Sequence, residues 1–226
     1  MRVGGLADRV DGGWVRQWAM ARVGSMLFDR WSAVYDRPRF QDAMYRPVHD
    51  AVLARLTGLP RGMVLDLGCG TGQLTRRLTE RFPDAEVVGL DYSAGMLDVA
   101  SDRVGSSASL VHADAQYLPF RSVSADVVVC TESFHWYGDQ RRALAALAAV
   151  LRPGGQLVIA SIAAVTEVGE SAVRRWSSMG GQPVRALTPR RLRGLLIDAG
   201  FEVVYQRRVP RIGIAPWPVI TEARRR

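Results

Sequence analysis

The feature that most restricts what this chain can become is Val64-Leu65-Asp66-Leu67-Gly68-Cys69-Gly70-Thr71-Gly72. Apolar residues run into an acidic one, glycines follow at alternate positions, and a stretch with helical spacing begins. That is the pattern of a buried strand turning sharply into a helix, the junction of open α/β sheets. Glycine at 68 and 70 lets the backbone approach a ligand closely, because a Cβ there would fill the space. The third glycine comes two residues after the second, not three as in the dinucleotide loop Gly-x-Gly-x-x-Gly. This spacing favours a ligand without a pyrophosphate.

From residue 62 onward the pattern alternates. Met63–Leu65, Glu86–Leu90, Ser109–His112, Asp126–Thr131, Gly155–Ser161 and Phe201–Arg208 read as strands. Helices are expected over 71–82, over 94–103 behind a Ser93 cap, and over 139–151. Another starts at Thr188-Pro189, with Thr as cap and Pro in the first turn, and ends at Gly200. Gln41–Leu56 has helical spacing and is stopped by Gly58 and Pro60. A last strand over Val219–Arg225 is expected to pair with the one before it, although Pro210, Pro216 and Pro218 make that stretch irregular. Strands and helices in this order argue for a mostly parallel sheet covered on both faces. Residues 1–46 are expected to form an N-terminal helical extension acting as a lid, and 47–226 the cofactor-binding domain.

Composition narrows the chemistry. At 226 residues, nearly half of them hydrophobic, the chain can bury a substantial core. No apolar run approaches the ~20 residues of a membrane span, and no secretion signal is visible, so a cytoplasmic protein is expected. The formal charge is +8, but all 30 basic residues are arginine and they are scattered, which argues against a nucleic-acid footprint. Without lysine there is no Schiff base, no pyridoxal phosphate anchor and no P-loop phosphate lysine. Cys69, Cys130, His49, His112 and His135 show no zinc-ligand spacing, so no metal is expected. The protein must work with a borrowed organic cofactor or with acid–base groups alone.

Two aspartates extend the glycine loop into a constellation. Asp91 closes the second strand about 20 residues beyond the loop, where a carboxylate can accept both ribose hydroxyls of a nucleoside. Asp114, in His112-Ala113-Asp114-Ala115, ends the third strand. It could accept an adenine amino group while the Ala115 N–H donates to the ring. Each has an ordinary reading too, as a helix cap or a turn aspartate.

In order and spacing these elements resemble the class I S-adenosylmethionine (SAM)-dependent methyltransferases. More narrowly, they are similar to the small-molecule subfamily that includes quinone C-methyltransferases and trans-aconitate-type methyltransferases. The resemblance rests on 64–74, 87–93, 112–120, 125–137, 151–155 and 188–203. It implies a Rossmann-like seven-stranded sheet in the order 3-2-1-4-5-7-6 with the last strand antiparallel. It also implies that Gly68, Cys69 and Gly70 wrap the methionine part of SAM, and that Asp66 orients its amino end. Asp91 would bind the ribose and Asp114 and Ala115 the adenine. Tyr92 and Met96 would pack against adenine, and Thr131 would meet the methionine moiety.

A sulfonium methyl is already activated, so the protein mainly has to align a nucleophile with it. Phe134-His135-Trp136-Tyr137 follows the fourth strand and resembles a stretch of the trans-aconitate type. His135 is the one candidate base, and a structural histidine bonded to backbone is the competing reading. Acceptor specificity is expected from 14–46 and 162–187, where Trp14, Trp18, Phe28, Trp31, Tyr35 and Trp176 lie. The expected activity is methyl transfer to oxygen or carbon of an apolar small molecule. An RNA methyltransferase is an alternative, but the Asn/Asp-Pro-Pro-aromatic signature of base-amino enzymes is replaced by Thr131-Glu132-Ser133-Phe134. An NAD-dependent oxidoreductase is the other alternative. Asp91 alone would suit it equally, but the glycine spacing and the missing Tyr-x-x-x-Lys pair oppose it.

Overall fold

The structure is a computed structural model that describes residues 44–56, 62–178, 183–210 and 217–226. Seven strands form one sheet in the order β3-β2-β1-β4-β5-β7-β6. They are β1 (Met63–Leu67), β2 (Glu86–Asp91), β3 (Ser109–His112), β4 (Ala125–Thr131), β5 (Leu151–Ile162), β6 (Phe201–Arg208) and β7 (Pro218–Arg225). β1 to β5 pair in parallel, while β7 runs antiparallel between β5 and β6. The helices are α1 (Arg46–Arg55), α2 (Gln73–Arg81), α3 (Ala94–Val104), α4 (Gln140–Val150), α5 (Glu167–Ser178) and α6 (Pro189–Asp198).

The central strands are apolar on both faces because both faces are covered. Val64, Val127, Val129 and Val158 pack with Val48 and Val52 of α1 and Leu74 and Leu78 of α2. The residues between them, such as Leu65, Val128 and Leu157, face the other way and pack with Leu144 and Leu147 of α4 and Leu192 and Leu196 of α6. A one-residue slip in any central strand would exchange these two sets.

Helix starts follow the cap residues. Ser93 Oγ accepts from Met96 N at 3.1 Å and Thr188 Oγ1 from Arg191 N at 3.3 Å. Asp139 Oδ1 accepts from Arg142 N at 2.9 Å, so Asp139 caps α4 instead of beginning it. β5 starts at Leu151, earlier than its apolar run, because Leu151 pairs with Ala125 before an irregularity that takes up Pro153-Gly154-Gly155. The last strand forms despite the prolines, since Pro218 is only its first residue and needs no ladder donor there. α5 has no counterpart in the sequence reading. Residues 1–43, with the expected lid aromatics, lie outside the described residues. Among the described residues no helix is long and apolar enough to cross a membrane.

The strand order reverses between β1 and β4, each of which begins or receives a crossover on the opposite side. In open α/β sheets ligands bind at the carboxyl ends of the strands at such a switch. The glycine loop leaves β1 at that point.

Candidate cofactor and acceptor site

The loop after β1 is fixed by backbone bonds to its neighbour strand. Gly68 N and Cys69 N both donate to Leu90 O, at 2.7 and 3.0 Å. Gly68, Gly70 and Gly72 take φ of +72°, +54° and +76°, the left-handed region that favours glycine. Their surroundings differ. A Cβ on Gly70 would meet nothing within 4 Å, so this residue opens onto free space. A Cβ on Gly68 would lie 2.4 Å from Ser133, so glycine there serves packing inside the protein, not approach to a ligand. Cys69 is buried, and its thiol lies close against Gly89 of β2. Burial pushes that thiol well above its ordinary range, which makes it a packing group and not a nucleophile.

Asp66 is fully buried at the end of β1. Thr75 Oγ1 donates to its Oδ2 at 2.7 Å, while Oδ1 has no hydrogen-bond partner among the described residues. Burial raises this carboxyl to about 7, with the Thr75 bond opposing and the charge of Asp91 adding. Asp91 holds two backbone N–H groups, Gly70 at 2.8 Å on Oδ2 and Ser93 at 2.9 Å on Oδ1. It therefore joins the glycine loop to the start of α3. Burial raises its carboxyl too, against those N–H bonds.

Tyr92 follows at half exposure, its carbonyl bonded to His112 Nε2 at 2.9 Å. Met96 is buried in the first turn of α3. Ala113 N donates to Asp91 O at 3.0 Å, which brings Asp114 and Ala115 beside Asp91. The Asp114 carboxylate is taken up on both oxygens by Gln116. Thr131 ends β4, the strand next to β1. The ten sequence-derived cofactor residues thus gather at the carboxyl ends of four adjacent strands.

Beneath the loop lies a knot of side chains that the sequence reading missed. Ser133 Oγ donates to Leu67 O at 3.0 Å and shares a hydrogen bond with Tyr137 Oη at 3.1 Å and Cys130 Sγ at 3.1 Å. Small polar residues near a glycine loop carry no sequence signal of their own. Only the collision of Ser133 with any side chain at 68 reveals the pairing.

His135 is 2% exposed, and its Nδ1 lies 3.0 Å from Ser161 Oγ of β5. Its carbonyl accepts from Arg185 N at 2.7 Å. A general base must come within hydrogen-bond reach of the acceptor's proton, and a ring so enclosed is poorly placed for that. Farther along the same edge, Phe134, Ile162, Leu187 and Val219 line a small crevice with Ser161 and Arg185.

Comparisons with known proteins agree with this geometry. Residues 64–155 match the model of a methyltransferase domain. A trans-aconitate 2-methyltransferase of Paracidovorax citrulli is 40% identical over 122 residues, 54% of this chain and 46% of its own length. A trans-aconitate 2-methyltransferase of Methylobacterium radiotolerans is 32% identical over 177 residues, covering 73% of this chain and 67% of the relative. The chain belongs to the class I SAM-dependent methyltransferases. A methyltransferase solved in complex with the Haloferax volcanii Trm112 activator shares the fold, with a TM-score of 0.72 at 23% identity over 87% of this chain and 96% of that one. The chain spans about half the length of the first curated relatives it matches, 46% and 45%. The cofactor of this methyltransferase class is S-adenosylmethionine.

Proposed function

We propose that the protein transfers the methyl group of SAM to oxygen or carbon of an apolar small molecule. The observation that carries this reading is the convergence of Gly70, Asp91, Asp114 and Ala115 at one end of the sheet. When bound, SAM supplies a methyl group already activated by its sulfonium. The chain's residues bind and orient it.

Several features suit that cofactor. The open face of Gly70 admits the methionine part. Asp66 offers a buried oxygen with no partner among the described residues, which suits an ammonium group reached through backbone or water. Asp91 spends one acceptor position on each oxygen, and a carboxylate has about four, so positions remain for ribose hydroxyls. Ala115 N–H has no partner among the described residues and is available to the adenine ring, with Asp114 accepting the amino group. Tyr92 and Met96 flank the adenine, and Thr131 closes the methionine end.

Catalysis then rests on alignment, and His135 is a structural ring bonded to Ser161. The concentration of Trp14, Trp18, Phe28, Trp31 and Tyr35 in the sequence ahead of the glycine loop supports an apolar acceptor. Relatives named for trans-aconitate support a small molecule over RNA. To test this, the protein is incubated with methyl-labelled SAM and total RNA, and separately with a lipid and quinone extract. Label is expected in a small molecule of the extract. Label found only in RNA would overturn the proposal.

A further inference from the structure

Gln116 takes no part in the scheme above, yet its amide is committed at both ends. Its Nε2 donates to Asp114 Oδ1 at 3.0 Å and Oδ2 at 3.1 Å, and its backbone N–H donates to Oδ1 at 2.8 Å. Its Oε1 accepts the backbone N–H of Asp139 at 2.6 Å. Chemistry fixes the direction of the amide. Reversed, a carbonyl would face a carboxylate and an NH2 would face an N–H, and both contacts would be lost.

The link reaches across the site. Asp139 caps α4 and closely follows the Phe134–Trp136 turn, so Gln116 ties the turn after β3 to the segment on the acceptor side. Gly138 packs against the same amide, where a Cβ would lie 3.4 Å from Oε1. One residue farther on, the Arg142 guanidinium stacks on the Tyr117 ring at 3.9 Å from its centroid. These neighbouring contacts hold the Asp114 turn against α4.

A freely turning carboxylate is an undiscriminating acceptor, because it can swing to whichever donor a ligand presents. Held on both oxygens, Asp114 keeps its remaining acceptor position in one direction. A purine with an amino group there gains a charge-assisted hydrogen bond. A purine with a carbonyl in its place sets lone pairs against lone pairs, and the carboxylate cannot turn away. We propose that Gln116 is the positioning residue of the adenine subsite, locking Asp114 so that the site selects a 6-amino purine over a 6-oxo purine. This inference rests on the reading of Asp114 as the adenine partner.

The test compares S-adenosylhomocysteine with S-inosylhomocysteine by calorimetry, on the full chain as wild type, Gln116→Ala and Gln116→Glu. Gln116→Glu keeps an acceptor for Asp139 N but sets a second carboxylate against Asp114 in place of the donor. Wild type is expected to prefer the adenosyl ligand by about tenfold or more, the scale of one hydrogen bond to a charged group. Both variants are expected to reduce that preference to about threefold or less, and Gln116→Glu alone suffices if the alanine variant does not fold. Variants that weaken both ligands equally, or that keep the wild-type preference, would overturn the inference. A wild type that binds both ligands alike would overturn the reading of Asp114, and this inference with it.

Discussion

Asp91, Asp114 and Ser133 are each bonded to backbone or side chains of the loops around the cofactor crevice, at 2.8–3.1 Å. Across β5 the arrangement is looser. Glu170 is the one buried side chain among those described in α5, and Val165 and Val168 beside it are 80% and 81% exposed. Glu170 accepts Thr188 N at 2.6 Å and pairs with Arg191, so α5 is attached to the start of α6 through one carboxylate. Ser177 adds a bond from Val184 N at 2.8 Å. The difference follows from what each region has to hold. This fits the proposed roles, since a cradle set in advance serves a cofactor, whereas a wall with few anchors would let an acceptor enter and leave.

The largest test of the rigid half is its pH response. Asp66 moves from the ordinary carboxylate value near 3.8 to about 7 on folding. Between those values the unfolded chain has released this proton while the folded chain keeps it, so the stabilising contribution present at low pH is lost as the pH rises from about 4 to 7. The full shift corresponds to about 4 kcal/mol, and that is a ceiling for a buried group. Urea unfolding at pH 5 and 7.5 is expected to show a smaller pH dependence in Asp66→Asn than in wild type. Equal dependence in both would mean that Asp66 does not carry it.

Next in size is a pair of glycine substitutions. Gly68→Ala forces a side chain into Ser133 at a left-handed φ, with an expected loss of about 3 kcal/mol in folding stability. Gly70→Ala bears only the backbone strain, about 1 kcal/mol, but fills the open face proposed for the cofactor. Thermal melting is expected to rank Gly68→Ala as the less stable, while S-adenosylhomocysteine titration shows Gly70→Ala losing affinity out of proportion to its stability. The reverse ranking would erase the distinction between the two glycines.

The smallest effect is expected across β5. Glu170→Gln keeps an acceptor for Thr188 N but loses the charge facing Arg191, whose side chain is 58% exposed. The loss in stability should be no more than about 1 kcal/mol, since solvent screens such a pair. Cofactor affinity is expected to stay at the wild-type value. A clear drop in affinity would show that the two regions are not separable in this way.

The contrast also explains what could be read from the chain. β3 and β6 have the bounds expected from their apolar patterns, and Ser93 and Thr188 act as caps, because local chemistry alone decides these features. α5 was invisible. A helix whose one buried side chain among those described is a glutamate shows little of the apolar stripe that sequence reading depends on. His135 attracted a catalytic reading as the lone histidine after β4, but its bond to Ser161 lies 26 residues away in sequence. Gln116 passed unnoticed because a turn glutamine carries no signature. Its position two residues beyond Asp114, within reach of that carboxylate, was the available clue.

The place of β7 has a consequence in time. β6 is made before β7, yet among the described residues its one neighbour in the sheet is β7, which also separates it from β5. A ribosome adding 5–20 residues per second needs on the order of one to three seconds to make the stretch from 209 to 225. Until it is made, neither β6 nor the far edge of β5 has its native partner. The prolines at 210, 216 and 218 lie in this last stretch, and the native sheet can be completed only once it has been made, with β7 between β5 and β6.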